Sequence, residues 1–173
     1  MDIDIIIPIY NAFDFVKKCI ETVIEHTDLT QHTLLLVNDK STDERILPLL
    51  NSFIKENQSL NIILIDNKDN QGFVRTVNIG MQYSHHDVVL LNSDTEVTRN
   101  WLSKIQNCAY SKPAVATVTP LSNNATLASV PVFLAENTIP PGLSVEEYAD
   151  IVEKCSMNSV SYTHLRAHET VLD

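Results

Sequence analysis

Apolar residues in this chain come in short blocks that alternate with longer, helically spaced patterns. Ile3–Ile9 and residues 33–37, 60–65, 87–91 and 114–118 are aliphatic and β-branched runs without strict alternation. Such runs suit strands covered on both faces, and 88–91 in particular reads as a buried parallel strand. Between them, Phe13–His26 places Phe13, Val16, Cys19, Ile20 and Val23 on one helical face, and 44–57 does the same with Ile46, Leu47, Leu50, Phe53 and Ile54. Pro48 is tolerated in the first turns of that second helix. Phe73, Val77, Ile79 and Met81 begin a third helix interrupted by Gly80, and 100–110 turns Trp101, Leu102, Ile105 and Ala109 inward. Asn11 or Ala12 opens the first helix, and Ser41 or Thr42 is placed to cap the second. This alternation predicts right-handed βαβ units, hence an α/β fold with a mostly parallel central sheet. From Thr119 the pattern loosens into a Pro- and Asn-rich stretch, and Val145–Cys155 resumes an amphipathic helix.

The polar residues gather where the strands end. The run VVLLNSDTEV over 88–97 passes directly from apolar residues to an amide, a hydroxyl and two acids. Pro8, Tyr10, Asn11, Asp39, Asn70, Gly72 and Asp94 all follow strand carboxyl ends, which is the edge where open parallel sheets hold ligands. Taken singly, Asp39 and Asn70 equally suit helix caps or turns, and Asp94 or Thr95 an N-cap. Asp94, beside Asn92, Thr95 and Glu96, also has the hard oxygen chemistry of a Mg²⁺ or Mn²⁺ ligand, and one carboxylate suffices when phosphates and water complete the shell.

Length and charge narrow the partners. A chain of 173 residues supports one core and one domain, taken here as residues 1–158 followed by a tail, 159–173. A net charge of -10 argues against a nucleic-acid partner or a polybasic membrane surface, so an anionic ligand needs a helper cation. The three cysteines are widely spaced, form no CxxC and read as reduced thiols of a cytoplasmic protein. The acidic start MDIDIIIPIY is no signal peptide, and no segment approaches the roughly 20 apolar residues of a membrane span. With only Gly72, Gly80 and Gly142, the chain builds neither a GxGxxG nor a P-loop phosphate cradle. His85 and His86 suit a surface role at a helix end, and His164 and His168 lack the HExxH arrangement of a zinc site.

Four ordered blocks resemble glycosyltransferase family 2, over about residues 4–131. IIIPIYNAF is similar to the family's strand ending P-x-Y-N, with Cys19, Ile20 and Val23 on the matching helix face. VNDKSTD resembles V-x-D-x-S-T-D, DNQGFVRTVNIG resembles N-x-G-F-x-x-x-x-N-x-G, and LLNSDTEVTRNWL resembles L-N-x-D-T-x-V-x-x-x-W-L. The resemblance implies a GT-A type, Rossmann-like three-layer sandwich. It implies that Pro8, Tyr10 and Asp39 hold a donor's base and ribose, with Asn11 in the same block. Asn70, Gly72 and Arg75 would lie near the base or phosphates. Asn92, Ser93 and Asp94 occupy the family's DxD position, so Asn92 replaces the first acid and Asp94 alone brings a metal carboxylate. Asn at that position resembles rhamnosyl-type and related wall or surface-polysaccharide transferases.

The implied reaction is inverting transfer of a sugar from a UDP- or dTDP-linked donor to a saccharide or lipid-linked acceptor, in the cytoplasm or at the inner membrane face. The family's general base lies in an acidic motif well downstream, and nothing after Pro131 matches it; Glu146 and Glu147 read as surface. The expectation is therefore a donor-binding part with no catalytic residue of its own. SYTHLRAHET resembles translated adapter sequence, which places the native end near Asn158. Two other classes remain open: a nucleotide-sugar-binding module without catalysis, and a phosphotransfer α/β domain. The second is disfavoured because Pro8 and Tyr10 follow the first strand and Asn92 stands where a nucleophilic Asp is needed.

Overall fold

The computed structural model describes residues 1–125 and 128–156 and separates two compact units, Met1–Leu102 and Ser103–Asp173. The expectations placed on the tail, on His164 and His168, and on a boundary near Asn158 lie outside the described residues.

The first unit is built from strands β1 (Ile3–Ile9), β2 (Thr33–Asn38), β3 (Ile62–Asp66) and β4 (Asp87–Leu90), with helices α1 (Phe13–His26), α2 (Ile46–Glu56) and α3 (Phe73–Tyr83) as the crossovers. Helix α4 (Trp101–Ala109) follows. The strand order is β3-β2-β1-β4 and every neighbouring pair is parallel. The sequence therefore runs outward from β1 in one direction through β2 and β3, then crosses back to place β4 on the other side.

The absence of alternation in β1 and β2 has a direct cause. Ile3, Ile5, Ile7 and Ile9 of β1 and Leu34 and Leu36 of β2 pack with Val16, Cys19, Ile20 and Val23 of α1 and Ile46 and Leu50 of α2. The opposite faces, Ile6, Leu35 and Val37, pack with Ile79 of α3. Both faces are covered, so both sets of side chains are apolar. The three-layer α/β arrangement with a parallel sheet is the one the sequence predicts.

β1 keeps its expected bounds, Ile3–Ile9, with Pro8 inside the strand, while several other local expectations are corrected. Ile6 accepts from Leu91 N on the β4 side and Ile9 accepts from Asp39 N on the β2 side, so alternation turns Pro8 toward β4. β4 pairs with β1 only as far as Ile6, and no ladder bond is lost there. β4 itself is an edge strand among the described residues, with Val88 and Val89 half-buried and Leu90 48% exposed, not a strand covered on both faces. Residues 114–118 form no strand: Ala114 has a left-handed φ of 67° and the segment is mostly exposed. In α3 the inward residues are Thr76, Val77 and Gly80, whereas Phe73 and Met81 are exposed.

Ser41 and Thr42 do not cap α2, which starts at Ile46; the Ser41 hydroxyl instead donates to Asn38 Oδ1, and Asp43 turns the chain by accepting from Arg45 N. Ala12 stands at the N-cap of α1 without a side-chain bond, following Asn11 in a left-handed conformation like its own.

Gly80 sets how closely α3 approaches the sheet. A Cβ there would meet Ile6 Cγ2 at 2.7 Å and Val37 Cγ2 at 3.3 Å, both on fully buried β-branched side chains. Overpacking of this kind costs about 1–3 kcal/mol, against about 1 kcal/mol of helix propensity gained by alanine. Gly80→Ala is therefore expected to lower the unfolding free energy by up to about 2 kcal/mol, read by denaturant titration; a more stable variant would contradict the close approach.

The amino end of the sheet is tied by polar contacts on the edge away from the strand carboxyl ends. Ser84 Oγ donates to Asp4 Oδ2 at 2.6 Å and His86 Nδ1 lies 3.2 Å from Asp4 Oδ1, so His86 has the surface structural role expected of it. His32 is buried and its Nδ1 accepts from Ile3 N at 3.2 Å. Burial holds the His32 pKa below its usual value, outweighing the attraction of Asp28. A depressed histidine contributes stability that is complete above about pH 6.5 and is lost as pH falls toward the folded value. Melting midpoints should drop between pH 7 and pH 5, and His32→Asn should flatten that part of the curve.

In the second unit, Asn137 is buried and braces the preceding loop, accepting from Val132 N and donating to the Ser129 hydroxyl and the Asn123 carbonyl. Helix α5 (Val145–Cys155) opens with a capping box: Ser144 Oγ accepts from Glu147 N, and the Glu147 carboxylate accepts from Ser144 N. Glu147 thus has a structural use at the surface. Among the described residues, no helix is long and apolar enough to cross a membrane.

Candidate functional site

In a parallel sheet the loops after the strands share one edge, and a ligand crevice forms where the strand order reverses. Here the reversal lies between β1 and β4. The loops after β1, β2, β3 and β4 carry Tyr10 and Asn11, Asp39, Asn70 and Gly72, and Asn92 to Asp94 respectively. All of these sequence-predicted residues therefore fall on the carboxyl edge of one sheet.

Asp39 ties the loop after β2 to the loop after β3. It is 4% exposed, and its Oδ1 accepts from Gln71 N at 2.7 Å and Asn67 Nδ2 at 3.0 Å while Oδ2 accepts from Gly72 N at 2.8 Å. Burial alone would raise its pKa, but the bonds from Gln71, Asn67, Thr76 and Gly72 together hold it below the usual carboxylate value. The carboxylate thus fixes the start of α3 from the end of β2. Gly72 has φ 77°, a conformation that L side chains rarely adopt, which lets its N–H turn back to Asp39 before the helix begins.

Asn67 and Thr76 were not singled out by the sequence. Asn67 Nδ2 also lies 3.3 Å from Thr76 Oγ1, and both residues are buried. The signals were present but small: a polar residue directly after a strand, and a threonine on the inward face of a helix. Asn38 was likewise missed; its Nδ2 donates to Asp66 Oδ1 at 2.7 Å and its Oδ1 accepts from Ser41 Oγ at 2.7 Å. Asn11 joins the β1 loop to the β2 loop, because its Oδ1 accepts from Thr42 N at 2.8 Å and Asp43 N at 2.9 Å and its own N–H donates to Ser41 Oγ. Arg45 forks onto Asp43 and lies 4.4 Å from the Phe13 ring centroid, which braces the same corner.

The predicted residues split into two groups. Asp39, Asn11 and Gly72 are bound into this lattice, and Pro8 is half-buried in the ladder of β1. Tyr10, Asn70, Arg75, Asn92 and Asp94 are exposed, Tyr10 at 49%. The first group shapes the edge and the second faces solvent along it.

The β4 loop is held differently, by α1. Cys19 Sγ lies 3.6 Å from the Asn92 carbonyl, Thr22 Oγ1 accepts from Val97 N at 3.3 Å, and Trp101 Nε1 donates to Thr27 Oγ1 at 3.0 Å. Burial, opposed by the Thr95 backbone and reinforced by Asp94 and Glu96, pushes the Cys19 thiol up to about 12, so it stays neutral under an acidic loop. Among the described residues no cluster of three or more His, Cys, Asp or Glu forms a ready metal cage. The donors at hand are the exposed Asp94 and Glu96 carboxylates, a set that fits a hard cation completed by phosphate and water.

The first unit is a doubly wound α/β unit with its polar loops gathered at the reversal of strand order, the edge where open parallel sheets hold ligands. Residues 4–142 match the model of glycosyl transferase family 2, and the chain belongs to that family. It is 31% identical over 104 residues to polypeptide N-acetylgalactosaminyltransferase 11 of Xenopus tropicalis, which covers 58% of this chain and 17% of that protein. Poly(ribitol-phosphate) beta-glucosyltransferase of Bacillus spizizenii is 33% identical over 73 residues, 42% of this chain and 11% of the relative. The chain therefore spans less than a fifth of the length of either relative.

Among solved structures, the mannosyltransferase PcManGT of Pyrobaculum calidifontis in complex with GDP-Man and Mn²⁺ superposes with TM-score 0.64 at 17% identity, covering 69% of this chain and 35% of that one. Residues 1–349 of S. aureus TarS in complex with UDP match with TM-score 0.55 at 18% identity, over 70% and 39% of the two chains. These likenesses establish the GT-A fold.

Proposed function

We propose that this chain is the donor-binding part of an inverting glycosyltransferase and takes a nucleoside diphosphate sugar at the carboxyl edge of its sheet. The observation that carries the reading is the convergence of the Asp39 lattice and the Asn92–Asp94 loop beside the β1/β4 reversal, in a chain of this family. Both relatives and the Pyrobaculum neighbour are named as sugar transferases, and two of the neighbours are described with UDP or GDP-Man bound.

Each residue then has a task. The half-exposed Tyr10 ring offers a face to the base. Asp39 Oδ2 accepts from the Gly72 N–H, and the lone-pair sites of the carboxylate leave acceptor capacity for a base or ribose donor. Arg75, exposed in the first turn of α3, and Asn70 supply polarity toward the diphosphate. Asp94 would hold Mg²⁺ or Mn²⁺, which when bound offsets the charge of the departing diphosphate. The acceptor, a saccharide or lipid-linked saccharide, attacks the anomeric carbon opposite the diphosphate, and a general base must take its hydroxyl proton. No described residue is assigned that role, because Glu147 is committed to its cap. Donor binding without transfer is the behaviour proposed for the chain as it stands. A rhamnosyl-type subgroup, a role in wall or surface polysaccharide synthesis and a cytoplasmic or inner-membrane setting belong to the same proposal, resting on Asn92 in the DxD position and on the relative named poly(ribitol-phosphate) beta-glucosyltransferase.

Calorimetric titration of UDP, dTDP and GDP into the folded chain, with and without Mn²⁺, tests this directly. Micromolar to millimolar binding of one nucleotide, strengthened by the metal, is expected; a folded chain that binds none of them would overturn the reading.

A further inference from the structure

The exposed Asp94 loop makes none of the hydrogen bonds that bind the first three loops together. It is held by α1 at Cys19 and Thr22 and by Thr27 just past the helix end. We infer that Thr22 is a positioning residue for the metal-binding step: its hydroxyl ties the Val97 amide to α1 and so holds the loop that presents Asp94. The inference rests on the donor-site reading above and goes beyond it, because Thr22 touches neither nucleotide nor metal.

Three observations meet at this residue. Thr22 is buried in the middle of the apolar face of α1, between Cys19 and Val23, where an aliphatic residue would pack without a polar atom. Its Oγ1 donates to the Cys19 carbonyl at 3.0 Å, which orients its remaining lone pairs, and accepts from Val97 N at 3.3 Å. Val97 is itself buried in the core cluster, so the point of attachment is fixed on both sides. Between Asn92 and Val97 the loop bends at a turn closed by Thr95 N on the Asn92 carbonyl, the same carbonyl that faces Cys19 Sγ. Asp94 sits inside that turn. A carboxylate that is itself exposed gains a defined position only from the anchors on either side of it, and a ligand displaced by about 1 Å loses much of its effect.

Two substitutions separate positioning from stability. Thr22→Val keeps the volume and removes the hydroxyl; Thr22→Ser keeps the hydroxyl and removes a buried methyl. If the hydroxyl positions the loop, Thr22→Val should retain metal-free nucleotide affinity within twofold and lose about tenfold of the Mn²⁺-dependent gain, while Thr22→Ser restores that gain despite a lower melting midpoint. Amide exchange at Val97 should speed up in Thr22→Val and not in Thr22→Ser. Mn²⁺-linked binding and Val97 protection unchanged in Thr22→Val would overturn this inference alone. Nucleotide binding without any metal linkage in the unsubstituted chain would overturn the metal assignment and this inference with it.

Discussion

Asp39→Ala is expected to abolish measurable nucleotide binding and to cost about 3 kcal/mol of stability. The carboxylate, in the loop after β2, receives two backbone N–H groups and one amide donor, all from the loop between β3 and α3. Hydrogen bonds to a charged group are worth about 1.5–3 kcal/mol each, and orphaned partners in a partly buried setting recover only some of that from water. Losing them frees the Gln71–Gly72 turn and with it the start of α3, so affinity falls with geometry as well as with contact. Asp39→Asn should be intermediate, since one amide oxygen remains but the amide nitrogen cannot accept from a backbone N–H.

The pH dependence has a definite sign. The folded carboxyl titrates below its usual value, so its contribution is complete above about pH 4 and fades as pH falls further. Denaturant unfolding at pH 7 and pH 3 should differ less in Asp39→Ala than in the parent. A variant that unfolds with the parent and keeps its UDP affinity would remove Asp39 from the centre of the site.

Asp94→Ala should behave in the opposite manner, with stability unchanged within about 0.5 kcal/mol and the metal-linked part of binding lost, about tenfold or more. Asp94 is exposed and, among the described residues, its carboxylate accepts no hydrogen bond, so its removal disturbs no packing there. The companion change, Asn92→Asp, restores a second carboxylate to the same turn and should tighten Mn²⁺-dependent binding by about tenfold, because a cation gains a further opposite charge at close range. Paired calorimetry of the two variants reads both effects. Loss of metal-free binding in Asp94→Ala would mean that the residue serves the nucleotide or the loop rather than the cation.

The residues explain why some features were legible and others were not. Ile3–Ile9 announces a strand covered on both faces because β-branched residues without alternation have few other stable settings. Val16, Cys19, Ile20 and Val23 announce α1 by spacing alone. The same pattern at 88–91 misled, since an apolar run is the same string at the centre of a sheet and at its edge, and only the ladder shows that β4 has one partner among the described residues. Residues 114–118 have strand composition, yet Ala114 turns left-handed and the run finds no ladder. Phe73 and Met81 carry the helical period of α3, but the close approach at Gly80 rotates the inward face onto Thr76 and Val77.

The site divides along the same line. Local order in the chain suffices to place Tyr10, Asp39, Gly72 and Asp94 after strand ends, because strand and helix periods are short-range properties and the parallel connection rule carries every such end to one edge. What those residues do with one another depends on contacts between positions about 30 to 75 apart in the chain, such as Asp39 with Gln71 and Thr22 with Val97. No short-range pattern specifies such pairs. The sequence by itself determined the α/β class, the strand–helix order and the edge on which the polar residues gather; the tertiary structure alone decided that Asp39 is a buried anchor, that Asp94 stands exposed, and that α1 holds the loop between Asn92 and Trp101, because those outcomes are set by which distant groups meet and exclude water.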